Sequence, residues 1–438
     1  MAADGYQSKI LRSAERRPGL GSFGDLGPGA LALDEWQALG LELPDLAAMR
    51  AWRLARLRAQ LAARDYAGIV ATDPINVRYA TDSTNMQVWC LHNPVRYAFV
   101  ATDGPVIVFD FHGSAHLSEH LDLVDEVRPG RGWYFFKSGA RVEEHAASWA
   151  AEIVDLVQAH GGGNRRLAID RADREGIAAL EALGISLHAG QELMERARAI
   201  KSPDEVKAMR CALAACEAAM GVMQSDLRAG VTEQGLWAHL HAETVRRGGE
   251  WIETRLLSSG PRTNPWFQEC GSRAIEAGDL VAFDTDLIGP YGYCADISRT
   301  WLCGDGRAST RQIDLYRQAR EQIACNLELV RPGLGFGEFS EMAFRLPERY
   351  RANRYSTIAH GVGLCDEYPA IYYPEDAEIT GYDGVLEAGM TICLESYIGE
   401  QGGPDGVKLE EQALVGETGA EVLSRYPFED DTFGRSFV

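Results

Sequence analysis

The segment IEAGDLVAFD at 275–284 returns as LEAGMTICLE at 386–395, with Glu-Ala-Gly aligned and a carboxylate six residues after the glycine. A repeat of this kind within one chain predicts two related halves, and it makes Asp284 and Glu395 equivalent. Each copy continues through a turn, GPYG at 289–292 or GGPDG at 402–406, into a second strand that ends on another acid, Asp296 or Glu410. Two hairpins bearing carboxylates are therefore expected to face one another.

Asp286 stands two residues beyond Asp284 in LVAFDTDLI, so a regular extended strand sends both side chains to one face. Carboxylates converging inside an apolar domain repel one another unless cations share the site. Divalent ions resolve that repulsion, and oxygen donors with one imidazole suit iron, manganese, cobalt or zinc. The imidazole is His360 in AHGVGLCDEYP, the only histidine after His241. Small residues around it let the backbone pass close to a ligand. Asp284, Asp286, Asp296, His360, Glu395 and Glu410 form the expected ligand set for two metal ions.

The rest of the chain bounds the setting. With 438 residues and 46% apolar composition it can bury a full core and is long for one domain. A net charge of −21 repels polyphosphate and anionic lipid, which argues against nucleic acid and membrane partners. No apolar run reaches membrane-span length and the opening MAADGYQSKILRSAERR lacks an apolar core, so a soluble cytoplasmic protein is expected. Nine cysteines without a C-x-x-C pair make neither a disulfide framework nor a zinc ribbon.

Three segments follow from the patterning. Residues 1–45, glycine-rich and without sustained period, are expected to form an extended arm that wraps a partner subunit. Residues 46–195 begin with an amphipathic helix and alternate helical stretches with the apolar runs GIVAT, VRYAFVAT, PVIVFD and LAID, which predicts an α/β domain. Residues 196–438 open on IKSPDEV, where Ser202, Pro203 and Glu205 supply an N-cap, a first-turn proline and a capping-box acid. This half is expected to be α+β, with helices around 232–247 and 310–330. His112, His116 and His120 share a face if HGSAHLSEH is helical, yet no fourth ligand accompanies them, and they are set aside as packing or solvated residues.

The motifs NVRYAT, IKSPDEV, DISRTW, HGVGL and GVKLEEQ, in that order, resemble the creatinase, prolidase and aminopeptidase P superfamily over nearly all of 46–438. The resemblance implies a pita-bread catalytic domain behind a smaller creatinase-like α/β domain. It also implies a homodimer, and the five ligands Asp284, Asp296, His360, Glu395 and Glu410. Asp286 is an addition, standing where relatives commonly have glycine. Peptidase relatives keep two further histidines, one where this chain has Trp266 and Phe267 and one where it has Asp366 and Glu367. Peptide hydrolysis needs a proton delivered to a poor leaving group, and that help is worth about 100- to 10,000-fold.

An extra aspartate with both histidines missing is similar to the dimethylsulfoniopropionate lyase branch of the superfamily. That likeness implies β-elimination of a zwitterionic substrate at two metal ions, iron foremost. Asp366 is the implied general base, with Tyr355 as orienting partner or alternative base. Trp266, Phe267, Tyr355 and Tyr368 are expected to offer aromatic faces to the sulfonium. The alternative is a dinuclear metallopeptidase acting on proline-containing peptides.

Overall fold

The computed structural model describes residues 11–12 and 27–434, divided into two compact units, Met1–Gly24 with Asp45–Arg198, and Asp25–Pro44 with Ala199–Val438. Most of the expected arm, residues 1–10 and 13–26, lies outside the described residues. Where residues 27–44 are described, they correct the expectation of an extended arm. A helix, Ala30–Ala38, buries Ala32 and Trp36 against Cys211 and Ala214 of the second unit. Bidentate pairing of Glu35 with Arg247 at 2.7 and 2.8 Å ties it down. Only these two buried side chains, one turn apart, mark the inward face, which is too little periodicity to read in the sequence.

The first unit is a seven-stranded mixed sheet in the order Leu11–Arg12, Glu126–Pro129, Val106–Asp110, Tyr97–Ala101, Gly68–Ala71, Arg166–Ile169, Ser186–Ala189. Four of these are the apolar runs named above. Asp45 caps helix Leu46–Ala63, its carboxylate accepting from the amides of Ala47 and Ala48, both at 3.0 Å. Helix Val142–His160 covers the sheet with Trp149, which meets Trp133 at 4.0 Å between ring centroids. HGSAHLSEH departs from the helical reading: only Ala115–Leu117 form a short 3-10 turn, so the three histidines do not share a helical face.

The second unit opens as its capping signals dictate. Ser202 and Glu205 form a reciprocal capping box on helix Pro203–Asp226, which packs against helix Glu233–Arg246. Helix Thr310–Leu329 carries a second capping box, Ser309 with Gln312. It lies across a five-stranded sheet ordered Asp366–Tyr372, Thr357–Val362, Thr391–Gly399, Gly406–Val415, Ala420–Val422.

Strict alternation on two of these strands decides which residues are core and which are site. Ile392, Leu394 and Ile398, with Val407, Leu409 and Ala413, join Leu315, Tyr316, Ala319 and Ile323 of the helix in one apolar cluster. The intervening Cys393 and Glu395, with Lys408, Glu410 and Gln412, therefore face the other way.

The repeat is visible but unequal. In the second copy, strands Thr391–Gly399 and Gly406–Val415 pair without interruption, placing Glu395 directly opposite Glu410. In the first copy the ladder breaks: Leu280–Asp284 pairs with Ser298–Leu302, while Leu287–Ile288 pairs with Cys294–Ala295 in a separate sheet. Asp286 lies in the break with φ of +36°, and Asp284 is opposite Ser298 instead of Asp296. Among the described residues no helix is long and apolar enough to cross a membrane.

Candidate metal centre

All six expected ligands come together. Nε2 of His360 lies 3.6 Å from Asp296 Oδ2, 3.5 Å from Glu395 Oε1 and 3.6 Å from Glu410 Oε1, and His360, Asp296 and Glu410 form one close donor group with the Cys393 thiol. Ligand atoms of Asp284, Asp286 and Asp296 form a second close group, and those of Asp284, Glu395 and Glu410 a third.

The route by which Asp286 arrives differs from the sequence expectation. No continuous strand carries Asp284 and Asp286 on one face. Instead the backbone leaves the strand after Asp284, and the left-handed conformation at Asp286 turns its carboxylate back. Thr254 Oγ1 donates to Asp286 Oδ2 at 2.5 Å and holds it there. The intervening Thr285 points away and bridges the break, donating to the carbonyl of Ala295 (2.9 Å) and accepting from the amide of Ile297 (3.0 Å).

The electrostatics are those of a site built for cations. Like charges directly opposite on paired strands are destabilising, and Glu395 against Glu410 is such a pair, both buried. Burial, then the neighbouring Glu410 and Asp286, pushes Asp296 well above the carboxylate range. Burial, then Asp284 and Asp366, does the same to Asp286. Asp296 Oδ1 and Glu410 Oε1 are buried oxygens with no hydrogen-bond partner among the described residues, the condition of an acceptor awaiting a metal.

Sequence reasoning missed the cation already present. Lys408 is fully buried and its Nζ lies 2.9 Å from Asp284 Oδ2, 2.6 Å from Glu395 Oε2 and 3.2 Å from Glu410 Oε2. It also donates to Ser298 Oγ at 2.6 Å, which itself sits 2.7 Å from Asp284 Oδ1. Burial opposes the ammonium, but Asp284, Glu395 and Glu410 outweigh it and hold Lys408 charged. The signal lay in its spacing, since Lys408 precedes Glu410 by two on one strand. With all five candidate carboxylates ionised, one ammonium leaves four negative charges, the complement of two divalent cations. The donor set therefore fits a dinuclear centre.

Cys393 was missed for the same reason, being two residues before Glu395. It is the register partner of His360, and its Sγ touches the carbonyl of Asp296 at 3.5 Å. Gln412 Oε1 accepts from the amide of Asp296 at 3.1 Å, so that ligand is held through its own backbone.

Around this cluster the expected substrate residues divide. Asp366, about half exposed, opens strand Asp366–Tyr372 with Oδ1 3.7 Å from His360 Nδ1. Desolvation beside the cluster raises its pKa, with Glu410 and Asp284 adding to the rise and His360 opposing it. Its neighbour Glu367 turns inward to a buried ion pair with Lys201. Trp266 and Tyr355 belong to one apolar group with Ala282 and Tyr397. Tyr355 stacks on Phe267 at 5.2 Å, and Phe267 is 64% exposed. Burial, then Glu395, drives the Tyr355 phenol far above its usual range. Tyr368 is found in a second aromatic group, stacked on Tyr382 and edge-on to Phe336, both at 5.8 Å. His112, His116 and His120 do not appear among the clustered metal-type donors of the described residues.

Known proteins resemble this chain in family, sequence and fold. The metallopeptidase family M24 matches residues 207–417. A protein of Roseovarius nubinhibens named dimethylsulfoniopropionate lyase DddP is 47% identical over 94% of this chain and 93% of its own length. A protein of the same name from Roseobacter denitrificans is 46% identical over the same shares. The Xaa-Pro dipeptidase from Bacillus anthracis has the same fold, with a TM-score of 0.69 at 22% identity over 86% of this chain and 98% of that one.

Proposed function

We propose, from the premise that this chain belongs to the DddP dimethylsulfoniopropionate lyase family on the M24 metallopeptidase fold, that it splits dimethylsulfoniopropionate into dimethyl sulfide and acrylate. The observation that carries the reading is the pairing of a six-ligand site with a half-exposed carboxylate, Asp366, at its edge. Two divalent cations held by Asp284, Asp286, Asp296, His360, Glu395 and Glu410 would withdraw charge from a substrate carboxylate and acidify the adjacent C–H. Iron is the assignment we favour, on the likeness to the lyase family, the donor set itself suiting manganese, cobalt or zinc as well.

The chain's own groups supply the rest. Asp366 takes the proton from the carbon next to the substrate carboxylate. The C–H electron pair becomes the carbon–carbon double bond, the C–S bond breaks, and its electrons leave on a neutral sulfide. No general acid is required at the leaving group, which accounts for the absence of the peptidase histidines at Trp266, Phe267 and Asp366. Desolvation raises the Asp366 pKa from its ordinary value, which makes it a stronger base. Tyr355 is better placed to orient than to accept the proton, since its phenol is held protonated.

The reading includes a homodimer in the cytoplasm. Adjacent Phe135 and Phe136 are 76% and 78% exposed, an apolar surface that a second copy would cover. Dimethyl sulfide measured over purified protein, with metal content and molar mass taken on the same sample, tests the lyase, its metals and the dimer, and fractionation of the cells tests the location. Release of dimethyl sulfide in proportion to bound metal is expected. Metal-loaded protein that cleaves proline dipeptides and releases no dimethyl sulfide would replace the lyase by a peptidase.

A further inference from the structure

Lys408 does more than balance charge. Its Nζ lies 5.7 Å from the ring centroid of Trp266 and 5.3 Å from that of Tyr355, within cation–π range of both. Three carboxylates and Ser298 fix the ammonium there, and the side chain is fully buried. Trp266 is itself 6% exposed, so its ring is committed to the interior. The aromatic surfaces nearest the metal ligands are therefore already in use by a resident cation.

We propose that Lys408 makes the pocket directional: it keeps a sulfonium off the Trp266 and Tyr355 faces it occupies, turning the substrate carboxylate inward and the sulfonium outward onto Phe267. This rests on the lyase reading, which supplies a substrate with one charge of each sign. Phe267 is the one member of the aromatic group that combines exposure with contact, being 64% exposed and stacked on Tyr355 at 5.2 Å. Its left-handed backbone, φ +72°, is unusual for a bulky residue, and the segment leading into it is held in place. Just before it, Asn264 donates to the carbonyls of Glu400 and Gly403 at 2.7 and 3.0 Å. A ring presented outward at some conformational cost is consistent with a use at the surface of the pocket.

The two ends of the pocket then differ in chemistry. Inward, the two cations that the ligands would hold, together with the Lys408 ammonium, would attract a carboxylate and repel a further cation. Outward lies the exposed ring of Phe267, which suits a soft cation, while the half-exposed Asp366 stands at the edge of the ligand cluster.

Three probes separate the parts: the zwitterion itself by steady-state kinetics, trimethylsulfonium as a cation without a carboxylate, and propionate as a carboxylate without a cation, the last two by calorimetry on metal-loaded protein. Phe267→Ala is expected to raise KM for the zwitterion by about 3- to 30-fold, the range of a single cation–π contact, with the effect on KM greater than on kcat and propionate binding unchanged. Lys408→Met, checked for metal content, is expected to gain affinity for trimethylsulfonium by a similar factor as the inner faces are freed. Lys408→Arg keeps the cation and should bind trimethylsulfonium as weakly as the unaltered protein. An unchanged KM in Phe267→Ala overturns the proposal, as does Lys408→Met that retains metal and gains no affinity for trimethylsulfonium. If Lys408→Met fails to hold metal, Phe267→Ala decides alone. Absence of dimethyl sulfide from the unaltered metal-loaded protein would instead sink the lyase reading, an outcome distinct from normal release with an indifferent Phe267.

Discussion

Asp366→Asn separates chemistry from architecture more cleanly than any other single change. The substitution keeps size and hydrogen-bonding capacity while removing the lone-pair basicity that proton abstraction requires. At half exposure, with its nearest imidazole nitrogen 3.7 Å away, Asp366 is not part of the fold's support. A partly screened contact of that kind is worth less than about 1 kcal/mol, so melting temperature and metal content should hold. The rate is another matter: loss of a general base costs at least about 100-fold, or roughly 2.7 kcal/mol of barrier.

The pH profile adds a signed expectation. A base must be deprotonated, so turnover should fall as pH drops through the raised pKa of Asp366, and that acidic limb should vanish in the residual activity of Asp366→Asn. Dimethyl sulfide evolution by gas chromatography, across pH and with metal measured in each sample, is the assay. Turnover within a few-fold of normal would refute Asp366 as the base and pass the role to Tyr355, which Tyr355→Phe would then expose.

Other outcomes follow from the same geometry. Asp296→Ala, His360→Ala and Glu410→Ala should each lose metal and activity together by elemental analysis, since each leaves like charges unshared around the ion. Asp286→Gly should lower metal stoichiometry toward one ion per chain with the fold intact by circular dichroism; unchanged stoichiometry would remove Asp286 from the ligand set. Because burial raises Asp284, Asp286 and Asp296 in the metal-free protein, metal binding should release protons and weaken as pH falls, read by calorimetry in buffers of differing ionisation enthalpy. Lys201→Met removes the ammonium paired with the buried Glu367 and should lower stability in denaturant titrations, with Glu367→Gln on the same background recovering part of it.

The features legible in the sequence were those governed by local rules. Capping at Ser202 set one helix start, and the repeat located Asp284 and Glu395 because a carboxylate recurs six residues after Glu-Ala-Gly, with the turn behind each copy leading on to Asp296 and Glu410. The break at Asp286 was illegible, since LVAFDTDLI reads as one strand and nothing in it announces a positive φ. Helix Ala30–Ala38 was missed because its inward face rests on Ala32 and Trp36 alone. Lys408 was available to parity reasoning but passed unnoticed, a lysine beside acids being usually a surface residue. Tyr368 was named only as an aromatic face for a sulfonium, and what the sequence does not announce is that its ring stacks on Tyr382 and meets Phe336 edge-on.

The unequal hairpins bear on how such a centre can acquire new chemistry. A duplicated element begins as two copies of one solution, and as long as both are regular, neither can change a side chain's direction without slipping the whole strand. Here the unbroken ladder between Thr391–Gly399 and Gly406–Val415 keeps Glu395, Glu410 and Lys408 in fixed relation. The interrupted copy is released from that constraint, and a single residue out of strand geometry lets a fifth carboxylate in beside four. One half conserves the frame and the other is where novelty enters.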